Sequence, residues 1–170
     1  DTVIFSVTEP TEIQTTLSQI SVNCFGGSDA SITAIANGGT PDYTFDWSNG
    51  VQQNSSNSST INNLSANTYT LIVSDVNNCL DTASIVVTQP LNSLDLSVDY
   101  INETCREEDG SASVIVSGGT PAYTYSWTYD YDQLVPIYTS LNTPNLSAVT
   151  SNLEDVYNGL YYITVTDTNG

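Results

Sequence analysis

Carboxylates are the most numerous groups in this chain that could do chemistry. The sequence holds 19 acidic residues against one basic residue, Arg106, and it has no histidine. Without histidine or lysine, His-based triads and lysine nucleophiles are impossible. A glycoside hydrolase needs two carboxylates across a cleft, and no pattern in the sequence places such a pair. The residues therefore predict a protein that is not an enzyme.

The net charge of −18 restricts the partners of the chain. An acidic surface repels phosphate backbones and anionic lipid headgroups, so we expect no nucleic-acid partner and no direct membrane insertion. Hydrophobic residues still make up 39% of the sequence, in short runs of Val, Ile, Thr and Tyr. Such runs bury enough apolar surface to indicate a folded chain with an acidic surface.

The chain repeats itself. Residues 38–47 read Gly-Gly-Thr-Pro-Asp-Tyr-Thr-Phe-Asp-Trp, and residues 118–127 read Gly-Gly-Thr-Pro-Ala-Tyr-Thr-Tyr-Ser-Trp, 80 positions later. Further on, residues 69–75 match residues 161–167 at a distance of 92, so the second copy carries 12 extra residues after Trp127. Repetition at this period is typical of proteins built from tandem units.

Three segments follow from these matches. Residues 1–10 parallel residues 81–90, so they are predicted to be the last strand of a preceding repeat. Residues 11–90 are the first complete repeat. Residues 91–170 are the second repeat, with the 12-residue insertion, and it lacks its final strand within this chain.

The apolar pattern predicts an all-β fold. Tyr43, Phe45 and Trp47 alternate with polar residues, which gives a strand with one apolar face. Ile32, Ala34 and Ala36 form another such face, as do Ala112, Val114 and Val116. The Gly-Gly pairs at 38–39 and 118–119 supply the positive φ of tight turns. Short strands with turns between them indicate tandem immunoglobulin-like β-sandwich repeats.

Two tryptophans and one tyrosine sharpen this prediction. Trp47 and Trp127 could stack on sugars, but their alternating neighbours favour packing in the core. The stretch from Leu153 to Tyr161 has the pattern that precedes a tyrosine corner. Gly159 in this stretch is replaced by Asn67 in the first repeat, and Asn is the next best residue for a left-handed φ.

Together these motifs resemble the SprB repeat of Bacteroidota cell-surface adhesins. The second repeat is the more similar, through Asp109-Gly110-Ser111, residues 118–127, residues 159–161 and residues 165–170. The resemblance implies an extracellular, outer-membrane-associated protein, exported by type IX secretion and in some members moved along the surface in gliding motility. It also implies a structural stalk, whose partners are neighbouring repeats of the same polypeptide or filament.

The resemblance implies an oxidising location, where the cysteines could pair. Cys24 and Cys79 bracket the first repeat, and we expect a disulfide between them, with two free buried thiols as the alternative. Cys105 would pair with a cysteine beyond the end of the chain.

Four aspartates near predicted strand ends are candidate calcium ligands: Asp29, Asp75, Asp109 and Asp167. Calcium at repeat junctions would stiffen a stalk, since hard oxygen ligands suit it. The alternative is solvated acid, because no segment matches an EF-hand loop. No other cofactor is predicted.

Short motifs predict two further kinds of site. Thr2 and Thr82 stand in Asp-Thr-apolar segments that resemble the O-glycan attachment site of Bacteroidota. Tyr129, Tyr131 and Tyr138 in the insertion region 128–150 could contact polysaccharide or another surface protein, which would make the chain a binding module. A hairpin packed on its own repeat is the alternative reading of the insertion.

A third possible function concerns assembly. Residues 1–10 have the sequence of the strand that the second repeat lacks. The chain could therefore be a fibre subunit in which this strand completes a neighbouring chain by strand addition.

Overall fold

The structure is a computed structural model, and it describes residues 1–104, 109–130 and 151–170. Over these ranges the chain is all-β and its strands pair antiparallel, which confirms the predicted fold class. The chain divides into two units, Asp1–Gln89 (unit 1) and Pro90–Gly170 (unit 2). Each unit is a β-sandwich, while its closer likeness to immunoglobulin domains stays a prediction.

The strands are β1 (Gln14–Ile20), β2 (Ala30–Asn37), β3 (Tyr43–Trp47), β4 (Gln52–Ser55), β5 (Ser58–Leu64), β6 (Asn67–Ser74), β7 (Leu80–Val87), β8 (Asp95–Ile101), β9 (Gly110–Ser117), β10 (Thr124–Asp130), β11 (Asn152–Val156) and β12 (Leu160–Thr166).

Unit 1 consists of two sheets with strand orders β1-β2-β5 and β4-β3-β6-β7. Residues alternate between buried and exposed along β2 and β3, as the apolar pattern predicts. The inner faces of the two sheets enclose one cluster of fifteen buried hydrophobic residues. Phe45 and Leu71 lie at its centre with no exposed surface. Their burial supplies the main stabilisation of the unit, because apolar area removed from water is the dominant favourable term in folding.

Both tryptophans lie in hydrophobic cores. Trp47 is 2% exposed and Trp127 is 4% exposed, so the prediction of core packing is confirmed. The indole N–H of Trp47 donates to Ser59 Oγ at 2.9 Å, and Ser59 Oγ donates to Gln53 Oε1 at 2.6 Å. The buried polar atom of Trp47 is therefore satisfied, as a buried indole requires.

Unit 2 has the same plan with fewer described strands. Its sheets have the orders β11-β9-β8 and β10-β12. Five residues form its buried cluster: Val114, Trp127, Leu153, Val156 and Val165. Ala112 and Val116, predicted to face the core with Val114, pack against this cluster and are half-buried.

Backbone geometry is repeated between the units. Gly38 and Gly39 have φ of 81° and 58°, and Gly118 and Gly119 have φ of 72° and 60°, which confirms the predicted positive φ. At Gly38 an added Cβ would also collide with the carbonyl oxygen of Glu12, so both its φ and its packing require glycine.

The left-handed φ expected at Asn67 and Gly159 is wrong. Left-handed φ occurs instead four residues earlier, at Asn63 (57°) and Asp155 (53°). Both residues lie at register shifts, in β5 and in β11, where an extra residue interrupts the pairing with the neighbouring strand.

Residues 1–10 form no strand within this chain, and all ten are exposed. Their assignment to a preceding repeat stays a prediction. Within the described ranges there is no helix with the length and apolar character needed to cross a membrane.

Candidate functional site

A network of polar contacts at one end of each unit is the most organised polar site in the described chain. In unit 1, Asp75 lies immediately after β6 and is 5% exposed. Its Oδ2 accepts the N–H of Thr40 at 2.8 Å, and its Oδ1 accepts the N–H groups of Asn77 and Cys79, both at 2.9 Å. One carboxylate thus joins the β2–β3 loop to the β6–β7 turn. We call this network, formed by residues 38–43 and 75–79, the clasp.

Side chains complete the clasp of unit 1. The amide of Asn77 donates to Thr40 Oγ1 at 2.9 Å. The hydroxyl of Tyr43 donates to the carbonyl oxygen of Gly38, which closes the β2–β3 loop on itself. The two sheets are therefore joined at this end by hydrogen bonds as well as by the core.

The same clasp is present in unit 2, where it is formed by residues 118–123 and 167–170. Asp167 accepts the N–H of Thr120 at 2.8 Å and that of Asn169 at 2.9 Å. The amide of Asn169 donates to Thr120 Oγ1 at 3.0 Å, and Tyr123 donates to the carbonyl oxygen of Gly118 at 2.6 Å. The Gly-Gly-Thr-Pro motif thus folds into one geometry in both units.

Hydrogen bonding sets the charge state of these aspartates. The N–H of Thr40 is the main cause that lowers the pKa of Asp75, and the N–H of Thr120 does the same for Asp167. Both carboxylates are therefore ionised at neutral pH and serve as acceptors, since a donated N–H favours the charged form.

The other two candidate aspartates lie at the opposite end of each unit, which we call the far end. Asp29 precedes β2 and accepts the N–H of Asn23 at 3.1 Å. Asp109 precedes β9 and accepts the N–H of Thr104 at 2.6 Å. The hydroxyl of Thr104 also donates to Asp109, and it is the first cause that lowers the pKa of this carboxyl.

The four candidate calcium ligands are thus not brought together. Within unit 1, Asp29 and the Asp75 clasp lie at opposite ends of the eight-residue strand β2, roughly 25 Å apart at about 3.3 Å per residue. In the part of the chain that the structure describes, no group of three or more His, Cys, Asp or Glu side chains could hold a metal ion. The described contacts of these aspartates are with backbone N–H groups, one hydroxyl and the thiol of Cys79.

The predicted disulfide between Cys24 and Cys79 is not formed, and both cysteines are free and exposed. Cys24 lies in the β1–β2 loop at the far end, whereas the N–H of Cys79 belongs to the clasp. The length of β2 separates them, and a disulfide requires Cα atoms within about 7 Å. Cys105 lies outside the described residues.

Of the three tyrosines predicted to contact a ligand, one lies among the described residues. Tyr129 packs on Tyr161 with ring centroids 4.9 Å apart, and its ring lies where a Cβ on Gly159 would be. The structure therefore places Tyr129 in packing within its own unit. Tyr131 and Tyr138 lie outside the described residues, and their contact with a ligand stays a prediction.

The tyrosine corner predicted in unit 2 is present. Tyr161 donates to the carbonyl oxygen of Tyr157 at 3.0 Å, and Tyr69 makes the matching bond to Ser65 at 3.1 Å in unit 1. Burial raises the pKa of Tyr161 to about 12, and the neighbouring Tyr129 and Glu103 act in the same direction.

The two threonines expected to carry glycans are both exposed. Thr2 lies in the unpaired segment 1–10, and Thr82 points outward from β7. Their modification stays a prediction.

Sequence reasoning missed the role of the clasp aspartates. The signal that could have found it is the co-occurrence of Asp-x-Asn with Gly-Gly-Thr-Pro in both repeats, at Asp75 and at Asp167. Two motifs that recur together are candidates for a contact.

Fold and site together define a class of protein. The chain carries two copies of one β-sandwich, and the most organised polar residues of each copy hold loops together. The family model of the SprB repeat matches the chain at residues 16–52 and 99–130. The resemblance to the SprB repeat is thereby confirmed, with one match in each unit. No curated protein matches the chain.

Proposed function

We propose that this chain is a stalk segment of a long bacterial cell-surface adhesin, exported by type IX secretion and serving gliding motility or surface attachment. Its work in this proposal is mechanical: it adds length and stiffness between the cell and a binding region elsewhere. The SprB repeat matches in both units support this assignment.

The course of the chain through unit 1 carries the proposal. Strand β1 begins at the clasp end, because Thr15 of β1 donates its N–H to Asp81 at the start of β7. Strand β7 ends at the far end, where Val22, just after β1, donates its N–H to the carbonyl oxygen of Thr88. The polypeptide therefore enters the sandwich at one end and leaves it at the other. A unit of this kind can lengthen a tandem array by its own length.

The same proposal holds that the chain is not an enzyme. The described oxygens of Asp75 and Asp167 accept backbone hydrogen bonds, and their lowered pKa values suit an acceptor rather than an acid catalyst. The sequence has no histidine that could act as a base near neutral pH.

Proteins with two, four and six copies of unit 1 in tandem test the stalk. The maximum dimension from small-angle scattering should rise by about 25 Å or more per copy, since one strand length is about that value. A dimension that levels off with copy number would contradict the proposal.

Location is tested separately. Antibodies raised against the chain should label intact cells of the organism that encodes it, and protease added outside those cells should remove the label. Labelling only after the cells are opened would overturn the surface assignment while leaving the scattering result unaffected.

A further inference from the structure

Four Asn-Gly pairs occur in the sequence, at residues 37–38, 49–50, 158–159 and 169–170. In such a pair the backbone nitrogen of glycine can attack the side-chain amide carbon of asparagine, because glycine has no Cβ to obstruct the approach. The reaction requires the backbone between the two residues to rotate and the asparagine side chain to be free. The folded structure therefore decides which of the four pairs can react.

Two of the pairs are held by strand pairing or by the clasp. Asn37 is paired with Gln14 of β1, which fixes its backbone in the extended conformation of β2. The side-chain amide of Asn169 donates to Thr120 Oγ1 at 3.0 Å as part of the clasp of unit 2. A reaction at either position must first break contacts that hold a sheet or a clasp together.

A third pair is held by packing. The N–H of Asn158 donates to Glu103 Oε2 at 2.7 Å. The ring of Tyr129 occupies the space where a Cβ on Gly159 would be. The backbone between Asn158 and Gly159 therefore cannot rotate unless the ring of Tyr129 moves away.

The remaining pair, Asn49-Gly50, lies in open space. It belongs to the turn between β3 and β4, and both residues are exposed. A Cβ added to Gly50 would have no atom within 4 Å. This turn can therefore change conformation without displacing a packed group.

Two hydrogen bonds hold the turn. Asn49 Oδ1 accepts the N–H of Val51 at 3.2 Å, which directs the side-chain amide carbon toward the backbone that follows it. The N–H of Gly50 donates to the carbonyl oxygen of Trp47 at 2.9 Å, and this bond must break before the nitrogen can react. Its breaking requires only a local opening, because β4 is a four-residue strand at the edge of its sheet.

We propose that Asn49 is a site of spontaneous deamidation, with water as the only co-reactant. The Gly50 nitrogen gives its proton to water and forms a C–N bond to the amide carbon of Asn49, while the amide nitrogen takes up a proton and leaves as ammonia. Water then opens the resulting five-membered imide at one of its two carbonyl carbons. The product is aspartate or isoaspartate, and either one adds a negative charge to the −18 of the chain.

Isoaspartate changes the turn more than aspartate does. It places the side-chain methylene in the main chain, which lengthens the path from β3 to β4 by one atom. The N–H of Trp47 donates to the carbonyl oxygen of Val51 at 2.9 Å, and this bond closes the turn. We expect the longer path to disturb this bond, so that the amides of β4 lose protection from hydrogen exchange in the isoaspartate form.

Incubation of the 170-residue chain at mildly alkaline pH, followed by pepsin digestion and mass spectrometry, tests the proposal. The peptide that contains Asn49 should gain one mass unit at least fivefold faster than the peptides that contain Asn37 or Asn158. Chromatography of the products should separate an aspartate form from an isoaspartate form. An Asn49 peptide that stays unchanged, or that reacts no faster than the other two, would overturn the proposal.

Unfolding the chain in urea separates the effect of the structure from that of the sequence. In urea the three pairs should react at similar rates, because each is then a flexible Asn-Gly segment. Folding should slow the reaction at Asn37 and Asn158 at least tenfold, and at Asn49 by no more than about twofold. If folding slows Asn49 as much as the other two, the turn protects this residue and the proposal is wrong.

Asn49→Gln is the matched variant. Its side chain keeps the amide but would have to close a six-membered ring, which forms far more slowly, so the gain in mass should disappear. Position 49 is exposed, so the change should not affect folding, and the rates at Asn37 and Asn158 are the internal control. A gain that persists in the variant peptide would assign the reaction to another residue and overturn the proposal. The stalk function does not depend on any of these results.

Discussion

Unit 1 and unit 2 share the same clasp and differ in the core beside it. The distance from the N–H of Thr40 to Asp75 equals that from the N–H of Thr120 to Asp167, at 2.8 Å, and the Asn–Thr side-chain bonds differ by only 0.1 Å. Yet fifteen hydrophobic residues are buried in unit 1 and five in the described part of unit 2. The clasp therefore needs only the loops that form it, whereas core burial depends on how many strands surround it.

The largest expected difference concerns the tryptophans. Trp47→Ala should destabilise unit 1 by about 3–5 kcal/mol, because it leaves a cavity among many buried neighbours. Trp127→Ala should cost unit 2 less, since fewer buried groups surround it among the described residues. In a urea titration of each variant, hydrogen exchange measures the free energy of unfolding of the altered unit. The fluorescence of the remaining tryptophan reports the unaltered unit. Equal losses would break the link between core size and stability.

The clasp aspartates should rank next. Asp75→Ala and Asp167→Ala each leave three backbone N–H groups without their acceptor, but Asp75 is 5% exposed whereas Asp167 is half-buried. The urea midpoint of unit 1 should therefore fall further than that of unit 2, because unpaired buried donors are costly. Asp46→Ala on the exposed face of β3 is the matched control and should leave the midpoint unchanged. A clasp variant that behaves like this control would mean that the network is incidental.

Replacing one residue of unit 2 by its counterpart in unit 1 tests the packing of Tyr129 on Tyr161. Gly159→Asn gives unit 2 the residue that unit 1 has at position 67. It should destabilise unit 2 by about 1 kcal/mol, because any Cβ at position 159 meets the ring of Tyr129. The measurement is the thermal midpoint of unit 2. Adding Tyr129→Ala to this variant should cost less than the sum of the two changes, and simple additivity would exclude the clash.

The free energy of unfolding should fall at both acid and alkaline pH, through different residues at the two extremes. The pKa of Asp75 and of Asp167 is lowered on folding, so the stability from their ionised form is present above pH 3.8 and is lost as the pH falls from there through the folded pKa. The pKa of Tyr161 is raised from 10 to about 12, so its contribution is complete below pH 10 and is lost between pH 10 and 12.

Urea midpoints measured from pH 2 to pH 12 test both limbs. Asp75→Asn should flatten the acid limb of unit 1, and Tyr161→Phe should flatten the alkaline limb of unit 2. An alkaline limb of unit 2 that survives Tyr161→Phe would assign the loss to another group.

The smallest expected effect is that of the cysteines. Cys24→Ser and Cys79→Ser should change the free energy of unfolding by less than about 0.5 kcal/mol, because both side chains are exposed and form no disulfide. Intact mass measured without reductant should show no intramolecular bridge. In a chain that carries Cys105→Ser, a mass 2 Da lower without reductant than with it would show a Cys24–Cys79 disulfide and contradict the described fold.

Much of the sandwich could be predicted because its signal is local. The alternation at Tyr43, Phe45 and Trp47 and the Gly-Gly turn before them are readable within ten residues. The bond between Asp75 and Thr40 joins residues 35 positions apart, and no local pattern reports such a distance. An aspartate near a strand end looks the same in sequence whether it binds calcium or a backbone N–H.

The position of the cysteines shows how one short strand changes a prediction. In an antiparallel sandwich, successive loops alternate between the two ends. Strand β4 has four residues, Gln52–Ser55, and no apolar alternation, so the sequence gives little sign of it. Five strands, β2 to β6, lie between Cys24 and Cys79. If β4 is omitted, the number is even, and the two cysteines fall at the same end and could pair. With β4 included they fall at opposite ends.

The path of the chain through unit 1 also determines how the unit would respond to tension. A pull applied before β1 and after β7 acts along two neighbouring strands in opposite directions. The contacts between these strands are then loaded in shear, so many of them must fail together rather than open one after another. A sandwich threaded in this way would yield abruptly at high force.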